Sequence, residues 1–239
     1  MSAFAEELVG ALGTAQSLAT FTSRDASFDV ARGYEVAAEL HAARVARGEQ
    51  PVGRKIGFTN RNIWDEYGVR EPIWGYVYDT TLFRPRGGHA SAAIGEFTEP
   101  RIEPEIVLHF KSAPPATRDE AGILDCIDWI AHGFEIVQSP FPGWKFKAAD
   151  TIAANGLHGM LVVGDPVPVA SIPESAVLHV SPGLTGSAAV SVPVVTSSPA
   201  ATGGYCGWCA SRSTRYASAR SGEPSTFAPR PRVTSRPLR

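Results

Sequence analysis

The chain has 239 residues, a hydrophobic fraction of 44% and a formal net charge of −2 at pH 7. This length suits one domain of ordinary size, and the apolar content is sufficient for a core. The small net charge argues against nucleic acid as a partner. The sequence contains no run of about 20 apolar residues, so no membrane span is predicted. Three cysteines make no disulfide framework. The first residues lack the features of a signal peptide, so we expect a cytoplasmic enzyme.

The first fifty residues are predicted to be helical. Apolar residues at helical spacing predict a helix over residues 3–19 and a second one that ends near Gly48. Ser27 is the expected N-cap of this second helix. We therefore expect residues 1–50 to form a helical N-terminal segment that packs on the domain or on another subunit.

The next segment carries a lysine in an apolar setting. Residues 51–60 read as a short strand flanked by glycines, and Lys55 within it is one of only four lysines in the chain. Its charged end could extend to the surface or serve a site, and the residues alone leave both interpretations open. Residues 61–70 predict a short helix, and residues 73–83 predict a strand broken near Asp79.

Two acidic residues share one face of the following strand. Alternation along residues 101–110 places Glu103 and Glu105 on one side and apolar residues on the other. The segment is apolar enough to be mostly buried, and a buried carboxylate is costly unless it is neutralised, most simply by a divalent cation. A solvated strand face explains the same pattern. A metal site and an ordinary surface strand therefore both remain open.

The chain then continues as a β-rich α+β pattern. A capping box of Thr117 and Glu120 predicts a helix that ends at Gly133, and a strand follows over residues 134–137 with Glu135 on the face opposite to its apolar neighbours. A polar segment comes next and includes Asp150 and Asn155. The remaining predicted strands cover residues 159–164, 167–169, 176–180 and 188–192.

From about Thr196 the composition changes. Ser, Arg and Pro dominate, and seven arginines occur between Gly203 and Arg239 with no lysine and one acidic residue. Such a segment buries too little apolar surface to offset its ordering entropy, so we predict that residues 196–239 are disordered. Cys206 and Cys209 have the CxxC spacing of redox and zinc sites, but without a second pair or a βαβ context we favour no function for them.

Three motifs in this order resemble one family. They are Gly-Arg-Lys-Ile-Gly-Phe-Thr at residues 53–59, Glu-Pro-Glu-Ile at 103–106 and Gly-Phe-Glu-Ile-Val at 133–137, and the polar segment from Ala149 to Gly156 continues the match. Over about residues 1–195 the chain resembles 2-keto-4-pentenoate hydratases and 4-oxalocrotonate decarboxylases, within the fumarylacetoacetate hydrolase superfamily. The fold that this resemblance implies is α+β, a mixed β-barrel-like roll with a helical N-terminal segment, in which residues 51–195 form the metal-binding catalytic domain.

The resemblance also implies a site. Glu103, Glu105 and Glu135 would hold Mg²⁺ or Mn²⁺. Lys55 would orient the substrate carboxylate or move a proton, and Asp79 would take part in proton transfer. The implied substrate-binding residues are Asp150 and Asn155, although for Asp150 a capping or turn role explains the sequence equally well. His109, His132 and His158 are expected to be bystanders, although His109 shares the strand face of Glu103 and Glu105.

The implied function is a metal-dependent lyase of aromatic-compound degradation that acts on a small unsaturated 2-oxo acid. A hydratase is favoured over a decarboxylase, and an acylpyruvate-type C–C hydrolase or a non-catalytic partner subunit are the alternatives. A homo-oligomer is expected, or a hetero-complex with a related decarboxylase or hydratase. The family's closing helix and strand are absent after Val195, and a shift of reading frame would explain this, so we expect a catalytic domain that is incomplete at its C-terminal end.

Overall fold

The computed structural model describes residues 1–85, 90–116 and 120–172 and the backbone of residues 194–196. The α-helices of this part of the chain span Ala3–Ala11 (α1), Phe21–Arg24 (α2), Val30–Ala46 (α3), Trp64–Tyr67 (α4), Glu120–Leu124 (α5) and Ala148–Ala153 (α6). The strands span Pro51–Gly57 (β1), Ile73–Tyr78 (β2), Leu82–Phe83 (β3), Arg101–Phe110 (β4), Ile127–Val137 (β5), His158–Val163 (β6), Val167–Pro168 (β7) and Val194–Thr196 (β8). Short 3₁₀ helices span Arg61–Ile63, Asp79–Thr81, Pro142–Trp144, Asn155–Leu157 and Val169–Ser171.

The strands form one mixed sheet. Their order is β2-β1-β8-β4-β5-β6-β3, and β7 pairs with β5. The edge strands β2 and β3 are joined only by the 3₁₀ helix Asp79–Thr81. Three residues span about 10 Å at most, so the sheet has to curl until its edges lie close together. The α+β class is thus confirmed, and the described strands form an open, curled sheet rather than a closed barrel.

The N-terminal helices pack on α6 and on the end of β5. α3 approaches α6 so closely that a Cβ atom at Gly33 would lie 2.6 Å from the carbonyl oxygen of Ala149, which explains the glycine. Phe21 is the centre of an aromatic cluster, with its ring centroid 5.3 Å from that of Phe28 and 5.7 Å from that of Phe141, both edge to face. This packing fixes α6, which precedes the turn that covers Lys55.

The helical boundaries differ from the sequence-based prediction at two places. α1 ends at Ala11 rather than near residue 19, because the chain leaves the helix through Gly13 in a left-handed conformation (φ 68°). Asp29, and not Ser27, is the N-cap of α3, since its carboxylate accepts a hydrogen bond from the backbone N–H of Arg32 at 2.9 Å.

The predicted helix up to Gly133 is wrong over most of its length. α5 ends at Leu124 and β5 already begins at Ile127, which pairs with Phe110 of β4. The apolar spacing fitted a helix as well as a strand, and pairing with the long neighbouring strand decides the outcome. Thr117, the first residue of the predicted capping box, lies outside the described residues.

Other predictions also fall outside the described residues. They are the strands at 176–180 and 188–192, the disordered tail beyond Thr196, and the pair Cys206 and Cys209. Among the residues that are described, no helix is long and apolar enough to cross a membrane.

Candidate metal centre

Three glutamates come together on the concave side of the β4–β5 pair. Glu103 of β4 lies directly opposite Glu135 of β5 in the antiparallel register, and Glu105 lies two residues further along the same face. Glu105 and Glu135 are only 3% and 1% exposed, and Glu103 is half-buried. One carboxylate oxygen from each of the three lies within 4.8 Å of the other two. The structure therefore brings the three predicted ligands into one cluster.

The apolar side of these strands faces outward. Ile102 is 63% exposed and Phe134 is 49% exposed, whereas the acidic side chains of the alternating positions are inside. The alternation predicted for β4 is correct, but the expectation that its apolar side is buried is wrong at this end of the strand. Carboxylates occupy interior positions that apolar side chains usually fill, and their burial needs a compensating positive charge.

Lys55 supplies part of that charge. Its side chain is buried, and Nζ donates a hydrogen bond to Oε2 of Glu135 at 2.8 Å, so the alternative of a surface lysine is wrong. Burial by itself would lower the pKa of Lys55, but the charges of Glu135, Glu103 and Glu105 outweigh it and raise that pKa above its ordinary value. Gly156 lies directly against the aliphatic part of this side chain, where a Cβ atom would be 3.4 Å from Cδ and Cε.

His158 completes the cluster, and sequence reasoning treated it as a bystander. Its Nδ1 lies 2.7 Å from Oε1 of Glu135, and its Nε2 lies 2.8 Å from Oγ1 of Thr81. Burial would raise the pKa of Glu135, but Lys55 and His158 together lower it. Burial lowers the pKa of His158, and the carboxylate of Glu135 offsets this only in part. His109, by contrast, bonds to Asp128 at 2.5 Å.

The donor set fits a divalent cation. Three carboxylates and one ammonium group have a net charge of −2 when all are ionised, and this charge is largely buried. Burial raises the pKa of Glu103, with a further contribution from Glu135 that Lys55 opposes, as expected for excess negative charge. Carboxylate oxygens suit Mg²⁺ and Mn²⁺. Oxygens on opposite sides of Mg²⁺ lie about 4.2 Å apart and adjacent ones about 3 Å apart, so the three carboxylates, whose oxygens lie within 4.8 Å of one another, would draw closer together on binding the ion.

A cavity of about 70 Å³ adjoins the cluster, and both Lys55 and Glu103 line it. Its wall is mainly aromatic and aliphatic with a few hydroxyl and amide groups. The other lining residues are Gly57, Phe58, Thr59, Asn60, Ile63, Tyr67, Ile73, Val137, Trp144, Phe146, Thr151, Gly156 and Leu157. The guanidinium carbon of Arg101 lies 3.8 Å from the ring centre of Trp144. The cavity is thus suited to a small, largely apolar molecule with an acidic end at the cluster.

Asp79 and Asp150 have structural partners. Asp79 is exposed, and its Oδ1 accepts hydrogen bonds from the backbone N–H groups of Gln50 and Thr80, each at 2.9 Å. Asp150 is fully buried and caps α6 by accepting from the backbone N–H of Lys147 at 3.0 Å, while Thr22 donates to both of its oxygens. The described lining of the cavity includes neither, so their roles in proton transfer and substrate binding stay predictions.

Asn155 supports the wall of the site from behind. Its side chain bonds to both backbone groups of Tyr76, with Oδ1 accepting at 2.6 Å and Nδ2 donating at 2.9 Å. These bonds hold the segment from Asn155 to Leu157 in a left-handed conformation, with φ values of 55°, 62° and 62°. The same turn places Gly156 against Lys55. Direct contact of Asn155 with substrate stays a prediction, because the described cavity lining does not include it.

Comparison with known proteins identifies the family. No protein-family model matches the chain. It is 32% identical over 162 residues to the 2-hydroxyhexa-2,4-dienoate hydratase of Comamonas testosteroni, a match that covers 66% of this chain and 60% of that enzyme. It is 31% identical over 163 residues to the 2-hydroxypent-2,4-dienoate hydratase of Pseudomonas putida, covering 67% of this chain and 72% of that enzyme. The chain belongs to the 2-keto-4-pentenoate hydratase and 4-oxalocrotonate decarboxylase family.

Solved structures of this family have a similar fold. The 4-oxalocrotonate decarboxylase of Pseudomonas putida G7, complexed with magnesium and adipate, superimposes with a TM-score of 0.65 at 23% identity, over 71% of this chain and 64% of the decarboxylase. The complex of the same enzyme with calcium and acetate gives a TM-score of 0.63. The chain thus spans roughly three fifths to seven tenths of the family members that it matches.

Proposed function

We propose that this protein is a divalent-metal-dependent lyase that adds water to a 2-hydroxy-2,4-dienoate, the tautomer of a 2-oxo-4-enoate, to give a 4-hydroxy-2-oxo acid. The observation that carries the proposal is the convergence of three carboxylates, two of them buried and one half-buried, beside a buried lysine and at the wall of a cavity. The two related hydratases are named for substrates of this class. The pathway is the degradation of aromatic compounds.

The cation would be held by Glu103, Glu105 and Glu135. When bound, Mg²⁺ or Mn²⁺ would act as a Lewis acid on the 2-oxo group of the substrate. The two solved decarboxylase complexes, one with magnesium and one with calcium, support a divalent ion at this site. Comparing turnover in Mg²⁺ with turnover in Mn²⁺ distinguishes the two ions.

Lys55 would have two roles, orienting the substrate and stabilising negative charge on it. Its ammonium group has three donors, and the bond to Glu135 uses one of them. It can therefore also donate to the carboxylate of the substrate and fix its orientation. The surrounding glutamates raise the pKa of Lys55 in the metal-free protein, and the positive charge of a protonated Nζ would favour the negative charge that develops on the substrate during tautomerisation.

The aromatic wall fits the hydrocarbon part of the substrate. Phe58, Trp144 and Phe146 line the cavity, and such a wall excludes bulk water from a conjugated chain. In the net reaction one water molecule is consumed: its hydroxyl group adds to C4, and protons are delivered to C3 and C5 as the enol hydroxyl becomes a ketone.

Arg101 favours a second candidate, a decarboxylase. Its guanidinium group lies over Trp144, one of the lining residues, and a guanidinium group is well suited to binding a carboxylate. The substrate 4-oxalocrotonate has a second carboxylate at the end remote from its 2-oxo acid group, whereas the dienoates do not. The same stabilisation of an enolate would serve loss of CO₂.

The test compares three substrates with and without metal. Full-length protein is incubated with 2-hydroxypenta-2,4-dienoate, 4-oxalocrotonate or an acylpyruvate, in Mg²⁺, in Mn²⁺ and in EDTA. We expect metal-dependent conversion of the dienoate to 4-hydroxy-2-oxopentanoate. Release of CO₂ from 4-oxalocrotonate as the faster reaction would favour the decarboxylase, and cleavage of the acylpyruvate would favour a hydrolase.

Two further results would change the assignment. Binding of Mg²⁺ without turnover of any of the three substrates would support a non-catalytic partner subunit, especially if a related enzyme co-purified with it. Failure to bind any divalent cation would refute the proposal. The test variant is Glu105→Gln, which keeps the size of the side chain and removes its charge. It should lose both metal binding and metal-dependent turnover.

A further inference from the structure

We infer that His158 is a positioning residue of the metal centre: its ring, fixed by Thr81, sets the orientation of the Glu135 carboxylate. The inference rests on the proposed function, because it takes Glu135 as a ligand of the cation. It adds His158 and Thr81, two residues that the sequence analysis did not place in the site.

The contacts form a continuous chain from the backbone to the cluster. His158 Nδ1 lies 2.7 Å from Glu135 Oε1, and a carboxylate can only accept, so Nδ1 carries the hydrogen. The other ring nitrogen lies 2.8 Å from the hydroxyl oxygen of Thr81. That hydroxyl accepts a hydrogen bond from the backbone N–H of Tyr78 at 3.2 Å, and its single hydrogen is donated to Nε2. The ring is therefore fixed at both nitrogens.

The two oxygens of Glu135 bond to different side chains. Lys55 donates to Oε2 at 2.8 Å, and His158 binds Oε1. An ionised carboxylate offers about four lone-pair sites, so these two bonds leave acceptor capacity for a cation while they restrict rotation of the group. Hydrogen-bond partners of this kind commonly orient the ligands of protein metal sites.

A second histidine–carboxylate pair in the chain shows what an ordinary pair looks like. The side chains of His109 and Asp128 are 13% and 40% exposed, whereas those of His158 and Glu135 are 0% and 1% exposed. His109 also stacks on Trp129, with ring centroids 4.6 Å apart. The pair at Glu135 differs in its complete burial and in its direct contact with a member of the acidic cluster.

The experiment measures binding of Mn²⁺ to metal-free, full-length protein by electron paramagnetic resonance. His158→Leu removes the donor and should weaken Mn²⁺ binding by about 10- to 100-fold. His158→Asn places an amide donor where Nδ1 was and should restore affinity close to that of the wild type. Thr81→Val removes the hydroxyl and should give a smaller loss, because Nδ1 remains in place. His109→Leu is the matched control and should bind like the wild type.

The outcomes separate this inference from the proposed function. If wild-type protein binds no Mn²⁺, the proposed function itself fails. If wild-type protein binds Mn²⁺ and His158→Leu binds it equally well while melting at a lower temperature, His158 is only a core residue and the inference is overturned. Should His158→Leu not fold, Thr81→Val decides: affinity equal to that of the wild type would overturn the inference, and reduced affinity with an altered Mn²⁺ spectrum supports it.

Discussion

Glu103 and Glu135 face each other directly across the antiparallel β4–β5 pair. Like charges in this arrangement repel, and burial strengthens the repulsion. The pair persists because Lys55 bonds to one member and because the cluster as a whole matches the charge of a divalent cation. Charge balance at this point therefore governs both the stability and the proposed activity of the protein, and each can be tested.

Glu105→Gln is predicted to weaken Mg²⁺ and Mn²⁺ binding more than loss of His158 does. The substitution removes one negative charge and one strong oxygen donor from the cluster. Isothermal titration calorimetry of the metal-free protein measures the effect, and Glu71→Gln, at an exposed position, serves as control. Unchanged affinity of Glu105→Gln would remove Glu105 from the ligand set.

Lys55→Met is predicted to destabilise the protein by about 3–5 kcal/mol, the usual result of removing one partner of a buried ion pair. Both side chains of the pair are almost fully buried, with exposures of 3% and 1%. Urea unfolding in EDTA measures the change, and Lys111→Met at an exposed position is the control. A loss below about 1 kcal/mol, typical of surface pairs, would show that the bond to Glu135 contributes little.

Divalent cations are predicted to stabilise the folded protein. A ligand that binds only the folded state adds about 2.7 kcal/mol to the free energy of unfolding when its free concentration is about 100 times Kd. Thermal unfolding in Mg²⁺ and in EDTA measures this stabilisation. Glu105→Gln should show a much smaller difference between the two conditions, and an equal difference in both proteins would place the stabilising ion elsewhere.

His41 is predicted to make stability fall at acid pH. Its ring stacks on Tyr76 with centroids 3.8 Å apart and bonds to the hydroxyl of Tyr78. Burial lowers its pKa, and the charges of Arg54 and Arg44 lower it further. The unfolded state therefore gains the proton first as the pH drops below about 6.5, and the free energy of unfolding decreases there.

The measurement is chemical unfolding at a series of pH values from about 7.5 to about 5. His41→Phe keeps an aromatic ring and should show a shallower decrease than the wild type. His132→Phe, at an exposed position, should follow the wild type. Parallel curves for His41→Phe and wild type would mean that His41 does not contribute to the pH dependence.

Arg101→Gln is predicted to change substrate preference. If the guanidinium group over Trp144 binds a second carboxylate, the variant should lose activity on 4-oxalocrotonate and keep activity on 2-hydroxypenta-2,4-dienoate. The comparison is the ratio of kcat/KM for the two substrates. Arg84→Gln is the control, because Arg84 lies over Trp129 in a similar contact. An unchanged ratio would exclude a role for Arg101 in selecting the substrate.

The strands were predictable because their signals are local. β1, β2, β4 and β6 were predicted from alternation and from flanking glycines, and the structure confirms them within a few residues. The acidic pair Glu103 and Glu105 was also visible, since two residues of spacing put both side chains on one face. Assigning Glu135 to the same site required the family resemblance, because no local pattern connects it to β4.

His158 and the first half of β5 could not be predicted in the same way. His158 lies 23 residues from Glu135, and only the pairing of β5 with β6 brings them together. In β5, Ile127 and Ile130 recur at a spacing that suits a helix as well as a strand, and the neighbouring β4 decides between them. Both errors concern contacts between strands that are distant in sequence.

The outward position of Ile102 and Phe134 has a consequence for how β4 and β5 are aligned. A shift of either strand by one residue would turn these side chains inward and its glutamates toward water, but it would also expose Val107 or Ala131, which are buried in the native alignment. Further contacts also hold the native alignment. Gly133 provides one, since a Cβ atom there would lie 2.9 Å from Val107, and the Lys55–Glu135 ion pair provides another. The groups that form the proposed site thus also favour the native register of β4 and β5 over one shifted by a residue. Weakening them should therefore yield mispaired strands as well as lost activity.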